Sequence, residues 1–405
     1  MKKFLLIFII SSPLLINAQG FQVNLQGQKQ QGMAGAGTGL IQDAAAVFFN
    51  PGGVSFLNGN SASVGMTPTF ANGTFLDADN NSIAHTNAPV GTPFTAYVVW
   101  GPDSSKFKFG FGVYTPFGSI ASWDPNWTGR FALTYMKLQS IYYQPTISYK
   151  VCDKLGIGAG FVYGTGNVEF KQTMPVVDAN GNYGVADLKA SAANYGFNAG
   201  IYYKPCEKLS IGLTYRSQIT MDVKNGTATF TVPPSLASNF PSGPFTSTLP
   251  LPQVATLGLG YAVNDKLSFA FDANFIGWKA LDTIAFYYKD TTASLKPTKL
   301  PRDYKNTFAF RLGAQYNVND KLTVRAGVAL SLTPVPAGYV TPEVPDANKV
   351  NLTCGVGYKF SAHFVADASL TFENLTRTDD NIALQLNGTY KTYILAPGLS
   401  VIYQF

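Results

Sequence analysis

The sequence predicts an all-β fold: a transmembrane, antiparallel β-barrel of 14 strands with an N-terminal segment held in its lumen. Three observations predict it. The composition combines 14% aromatic with 13% charged residues, roughly half the charged share of an ordinary soluble domain. A short turn recurs along the chain, and strictly alternating apolar and polar residues flank its copies.

The first observation requires a large surface that does not face water. Beyond the first residues no apolar run reaches the 18 or more that a membrane helix needs. A closed barrel crosses a bilayer without such a run, because only alternate residues face lipid and the backbone groups pair between strands. The exception is the start of the chain. Lys2 and Lys3 precede an apolar stretch of 13 residues, Phe4 to Ile16, broken by Ser11, Ser12 and Pro13 and ending near Ala18. That pattern reads as a secretory signal peptide over 1–18, cut after Ala18, and not as a membrane anchor.

The recurring turn reads Tyr149-Lys-Val-Cys-Asp-Lys-Leu155, Tyr203-Lys-Pro-Cys-Glu-Lys-Leu209, Tyr261-Ala-Val-Asn-Asp-Lys-Leu267 and Tyr316-Asn-Val-Asn-Asp-Lys-Leu322, with a looser copy at Tyr358 to Phe364. The tyrosines are spaced by 54, 58, 55 and 42 residues, which also suits solenoids or propellers. Strand patterning favours the barrel. After one turn Leu267, Phe269, Phe271, Ala273 and Phe275 alternate with Ser268, Ala270, Asp272 and Asn274; after others Val324 and Val328 oppose Thr323 and Arg325, and Leu370 and Phe372 oppose Asp367 and Glu373. Runs of roughly ten residues fit a tilted strand crossing a bilayer. Each unit is then two strands, a short periplasmic turn and a long outer loop, with the tyrosines in an interfacial girdle.

A sixth turn at Gly101-Pro-Asp-Ser-Ser105 joins strands near 92–100 and 106–115. Six turns join twelve strands, and a first near 60–70 and a last near 389–405 bring the total to 14. The chain ends on an alternating strand, Leu399 to Phe405, closing on an aromatic residue. That ending resembles the signal by which such barrels address their assembly machinery, so this machinery and outer-membrane lipids are the expected partners beside any ligand.

Residues 19–58 read differently from 59–405, the barrel. Gln26 to Gly32 is polar, Gly35-Ala-Gly-Thr-Gly39 is glycine-rich, and Asp43 to Phe49 suits a short helix that Pro51 ends. A compact segment ahead of a barrel has its place in the lumen. The glycine run has no preceding strand or following βαβ unit, so it is no dinucleotide site.

Here a resemblance becomes specific. Gly20-Phe21-Gln22, Asn50-Pro51-Gly52, and Thr115-Pro-Phe-Gly118 leading to Trp127-Thr-Gly-Arg130-Phe131 resemble the FadL/TodX-type transporters of long-chain fatty acids and aromatic hydrocarbons, in register over nearly the whole chain. The resemblance implies a 14-stranded barrel plugged by an N-terminal hatch with an Asn-Pro-Ala motif, here with Gly52 in place of Ala. It further implies uptake of a hydrophobic small molecule through a loop-side groove, an inner pocket, and a side opening where the third strand is kinked, in the bacterial outer membrane.

Phe21, Asn50, Pro51 and Gly52 are accordingly expected in the hatch. Gly110 and Gly112 on the third strand permit a kink or close packing against the hatch. The loop from Pro116 to Met136 offers Phe117, Trp123, Trp127, Phe131 and Tyr135 for a ligand groove, with Arg130 for a carboxylate. The loop from Lys224 to Pro250 offers Phe230, Phe240 and Phe245; either set alternatively packs on itself or forms an interfacial belt.

Other functions fit less well. A water-filled porin needs a charged lumen, whereas inward positions are mostly small and neutral. The two histidines, His85 in an outer loop and His363 in a periplasmic turn, cannot meet one serine, and no Gly-x-Ser-x-Gly elbow occurs. The chain is therefore not expected to be an enzyme, and neither histidine has the neighbours of a zinc site. No cofactor is expected. Cys152, Cys206 and Cys354 read as small apolar filler, and the net charge of +6 is too dispersed for nucleic acid. An adhesin of the same fold is the alternative, separable because loop deletion would abolish its binding without altering uptake.

Overall fold

The computed structural model describes residues 20–102 and 105–405. The signal segment and two residues of the Gly101–Ser105 turn lie outside them.

Fourteen antiparallel strands close into one barrel. The first runs as Ser61–Met66 and Phe70–Asp77, the second as Ile83–His85 and Phe94–Trp100, and the third as Phe107–Tyr114 and Gly118–Ser122. The fourth to sixth are unbroken: Tyr135–Cys152, Leu155–Val177 and Tyr183–Tyr203. The seventh to tenth again come in two pieces: Leu209–Arg216 with Ile219–Thr231, Gly243–Leu251 with Val254–Ala262, Leu267–Ile276 with Thr283–Tyr288, and Thr298–Pro301 with Thr307–Asn317. Leu322–Ser331, Lys349–Lys359, Phe364–Asn381 and Leu386–Gln404 complete the wall. The last strand pairs with the first from Ser61↔Gln404 to Met66↔Leu399, so the sheet closes on itself.

The alternation is turned inside out, as lipid demands. Phe308, Phe310 and Leu312 stand on the outer surface while Thr307, Ala309 and Arg311 between them are buried in the lumen. Tyr203, Tyr261, Tyr316 and Tyr358 are exposed at the periplasmic ends of their strands. On the opposite side Tyr143, Tyr163 and Tyr195 lie in one cross-strand row, with ring centroids 6.2 and 5.4 Å apart. The cysteines follow the same inversion and correct the expected filler role: all three are exposed, Cys354 between outward Leu352 and Val356, Cys152 and Cys206 at turns.

Strands extend beyond the girdle further than the alternation foretells. The fifth has 23 residues, and most of the stretch expected as an outer loop at 224–250 is strand, within Ile219–Thr231 and Gly243–Leu251, whereas 116–136 holds only Gly118–Ser122 and the start of the fourth strand. The reason is physical. Above the membrane the outward face meets water, so apolar alternation stops while backbone pairing continues; Glu169, Lys171, Asp187 and Lys189 occupy that outward face in mutual ion pairs of 3.0 to 3.5 Å.

The N-terminal segment lies against the inner wall. It forms helices at Gln28–Gln31 and Ala46–Phe49 and a 3-10 turn at Pro51–Phe56. Facing wall glycines let its backbone touch the sheet: a Cβ at Gly212 would sit 2.0 Å from the Thr38 carbonyl oxygen, and one at Gly200 2.3 Å from Asn50 Oδ1. Side chains then satisfy the segment's polar backbone, which would otherwise be orphaned. Asp272 accepts from the amides of Gly37 and Thr38 at 3.0 Å each, Ser210 donates to Gly39 at 2.6 Å, and Gln144 donates to Val47 at 2.6 Å. Arg216 donates to the Phe48 carbonyl at 2.9 Å and stacks 3.8 Å over its ring.

Candidate functional site

Asn50 organises the turn between the two helical pieces. The α-helix ends at Phe49, Asn50 is extended, and its Oδ1 accepts from the Gly52 amide at 3.0 Å, capping the following turn. Its Nδ2 donates to Thr38 at 3.0 Å and to the wall carbonyl of Ile201 at 3.1 Å. Gly52 is not in the left-handed region. Its constraint is space, since a Cβ would lie 2.6 Å from the Gly200 oxygen.

The wall is interrupted between its second and third strands. These pair from Trp100↔Phe109 to Thr95↔Tyr114, then lose contact until an isolated bridge, Thr86↔Trp123. Gly118–Ser122 pairs along its length with the fourth strand and meets the second-strand side only at its end, where the Asn87 amide donates to Ser122 at 2.8 Å. Gly110 and Gly112 do not mark this break. They sit in unbroken register opposite Val99 and Tyr97, and an added Cβ would meet Val47 at 2.4 and 3.1 Å. Close packing against the N-terminal segment explains them, and the break falls beyond, at Thr115 to Phe117.

From inside the lumen the start of the N-terminal segment pairs with this break. Val23 donates its amide to Pro116 at 2.9 Å, Gly118 donates to Phe21 at 3.0 Å, and Gln26 Nε2 donates to Thr115 at 3.2 Å. Phe21, 5% exposed, packs against Trp278 with ring centroids 6.2 Å apart. Backbone groups that lost their neighbour in the sheet thus find partners in the segment beneath.

A cavity of about 440 Å³ opens above the segment and reaches the break. Ala88, Val90, Pro93, Phe117, Ile120 and Trp123 form its greasy side. Strands from across the lumen supply a polar side, with Asn351, Glu373 and Lys349. Of the aromatic residues expected at the ligand, Phe117 and Trp123 line the cavity. Trp127 stacks behind Trp123 at 4.4 Å. Arg130 and Phe131 stand apart from it: the guanidinium lies 4.7 Å over Phe131 and 5.0 Å over Tyr183, and donates to Asn126 and Trp127. Phe230, Phe240 and Phe245 pack with Phe286 and Tyr288 in a separate outer cluster, the self-packed alternative.

The long loop 332–348 folds inward over the cavity. Trp123 Nε1 donates to Pro342 at 3.1 Å, and Arg302 holds Glu343 in a buried pair at 2.5 Å. Asp346 accepts from Thr333 at 2.6 Å and from the Gly20 amide at 3.1 Å. Burial pushes the Asp346 carboxyl up to about 6, against the opposing pull of Lys349. Tyr304 nearby is also pushed up by burial.

Sequence reasoning did not single out Tyr390, Lys349, Asn351 or Asp346, all in the cavity lining. Glu373 carried a signal, because its parity on the thirteenth strand opposes lipid-facing Phe372. The others come from strands and a loop over 200 residues from the aromatic loop, which only barrel closure brings alongside.

A closed barrel with a segment bound in its lumen, a cavity above it and a break in the wall defines a class of outer-membrane transport barrel. The chain belongs to the family described as outer membrane protein transport protein (OMPP1/FadL/TodX), which it matches over residues 11–405. It is 25% identical to outer membrane protein P1 of Haemophilus influenzae over 96% of both chains. It is 23% identical to the long-chain fatty acid transport protein of Escherichia coli K12 over 87% of both. The fold matches that of a Pseudomonas aeruginosa FadL homologue with a TM-score of 0.83 and 22% identity, covering 96% of this chain and 100% of the other. The Pseudomonas putida toluene transporter TodX matches at 0.70 and 16%, over 96% and 99%.

Proposed function

We propose that the protein takes up hydrophobic small molecules, fatty acids or aromatic hydrocarbons by its kinship, through the cavity and sideways into the membrane. Residues 19–58 act as a hatch below the cavity, with Phe21 at the wall break and Asn50, Pro51 and Gly52 as the hinge. The observation that carries this reading is the meeting of a mostly apolar cavity with an unpaired stretch of wall. Each methylene moved from water to such a surface contributes about 0.8 kcal/mol, so a long chain binds well, and a lateral exit releases it to lipid without returning it to water. Phe117 and Trp123 hold the ligand, while Trp127, Arg130 and Phe131 support the loop around it. The family's chemistry is transport, and no step here calls for catalysis or a cofactor.

The test is to remove the interruption, deleting Thr115 and Pro116, which keeps Phe117 in the chain and preserves the strand's parity, so that the third strand runs on. Uptake of a labelled hydrophobe into cells should fall at least about tenfold with the barrel still heat-modifiable on gels. Undiminished uptake would refute the lateral route.

A further inference from the structure

The charges around the cavity form an inventory that bears on its ligand, resting on the transport reading above. Three acids line it, Glu343, Asp346 and Glu373, and Glu343 is paired with the buried Arg302. Of the three lining cations, Lys137 lies on the outward parity of its strand, between inward Met136 and Leu138, and is exposed. The other two are already engaged by the protein. Lys349 contacts Glu373 at 2.5 Å, and Arg311 donates to Asn274 at 2.8 Å and to the Ala34 carbonyl at 3.2 Å. Glu373 additionally accepts from Asn351 at 2.6 Å.

The buried polar atoms of the lining that have no partner are neutral. Among the described residues, Tyr390 OH, Asn351 Oδ1, Thr392 Oγ1 and Gln22 Oε1 are buried without a hydrogen-bond partner, and all four residues line the cavity. Tyr390 is only 2% exposed. Buried polar groups normally have partners, so each of these atoms can take one from outside the chain, a water or a ligand.

We propose that this cavity selects uncharged amphiphiles and discriminates against free carboxylates. A carboxylate entering it would have to draw Lys349 from Glu373 or Arg311 from Asn274 and Ala34, beside Asp346, in a site of low dielectric where a charge without a partner of its own is costly. A hydroxyl or ester group instead meets Tyr390, Asn351 and Thr392, which offer both a donor and acceptors, while its chain lies along Val90, Phe117 and Ile120.

The experiment measures binding of dodecan-1-ol, methyl dodecanoate and dodecanoate to the mature protein in lipid nanodiscs at about pH 8, where a carboxylate is ionised, with empty nanodiscs subtracted. The alcohol and the ester should each bind about tenfold or more tightly than the acid. Glu373→Gln releases Lys349 and should shift the acid-to-alcohol affinity ratio about tenfold toward the acid; heat-modifiable migration reports that the variant is folded. The wild-type comparison needs no variant. Dodecanoate binding as tightly as the alcohol overturns this inference alone, and so does an unmoved ratio in folded Glu373→Gln. Binding of none of the three overturns the transport reading with it.

Discussion

The side-chain amide of Asn50 donates to the main-chain carbonyl of Ile201, 3.1 Å away, and so fastens the turn of the N-terminal segment to the sixth strand of the barrel. The same amide reaches Thr38 at 3.0 Å, so one residue joins two parts of the segment to each other and to the wall.

Replacing Asn50 by Ala removes these donors and leaves the buried Thr38 carbonyl short of a partner, a local cost of about 1 to 3 kcal/mol. The barrel, closed by its own ladder, should still migrate as a heat-modifiable species. Uptake of a labelled hydrophobe should fall several-fold, while equilibrium binding to purified protein changes less, because Phe117 and Trp123 keep their places. Equal losses of binding and uptake would place Asn50 in the ligand site instead.

Deleting residues 19–58 should convert a poorly conducting protein into an ion-conducting one in planar bilayers. Gly212→Val is the gentler form of this change, since its side chain would occupy the space of the Thr38 carbonyl. It should raise conductance in part. Conductance unchanged in both would mean that the segment does not close the lumen.

A covalent lock tests whether the segment must move. Ser55 donates its amide to Ser148 Oγ at 3.0 Å, so Ser55→Cys with Ser148→Cys places two thiols across the boundary between segment and wall. Cys152 and Cys206, exposed at nearby turns, should be changed to Ser to avoid mispairing. The oxidised protein should lose uptake and regain it with reductant. Normal delivery by the locked form would show that release needs no hatch movement.

Asp346 supplies a pH dependence. Its folded-state value of about 6 lies above the ordinary 3.8, so the folded protein holds the proton more tightly than the unfolded chain. The stabilising contribution is therefore complete below about 3.8 and is lost as pH rises through about 6. Hydrogen exchange in loop 332–348 should quicken over that window after correction for the intrinsic exchange rate. Asp346→Asn, which carries no titrating group, should flatten the profile, and an unchanged profile would assign the effect to other groups.

The sequence by itself determined the wall. Period-two alternation, six short turns and the closing strand at Leu399 to Phe405 dictated 14 antiparallel strands, because a chain in lipid must pair every backbone group and show grease at every second position. It also marked residues 19–58 as something other than wall. The site was legible only in part: Phe117 and Trp123 announced themselves as aromatic residues in a stretch with no lipid-facing pattern, but Arg130 and Phe131 from the same stretch turn away. Tertiary structure alone decided which residues meet in the cavity, because closure sets Trp123 beside Tyr390, with centroids 6.5 Å apart, across 267 positions of sequence. It also decided where the wall breaks. Gly110 and Gly112 looked suited to a kink, yet their missing side chains are filled by Val47 of the N-terminal segment, and the ladder instead fails at Thr115 to Phe117, where Phe21 and Val23 supply the lost hydrogen bonds. Local pattern records what a residue faces on average; which segment lies against it is fixed only when the barrel closes around the chain that precedes it.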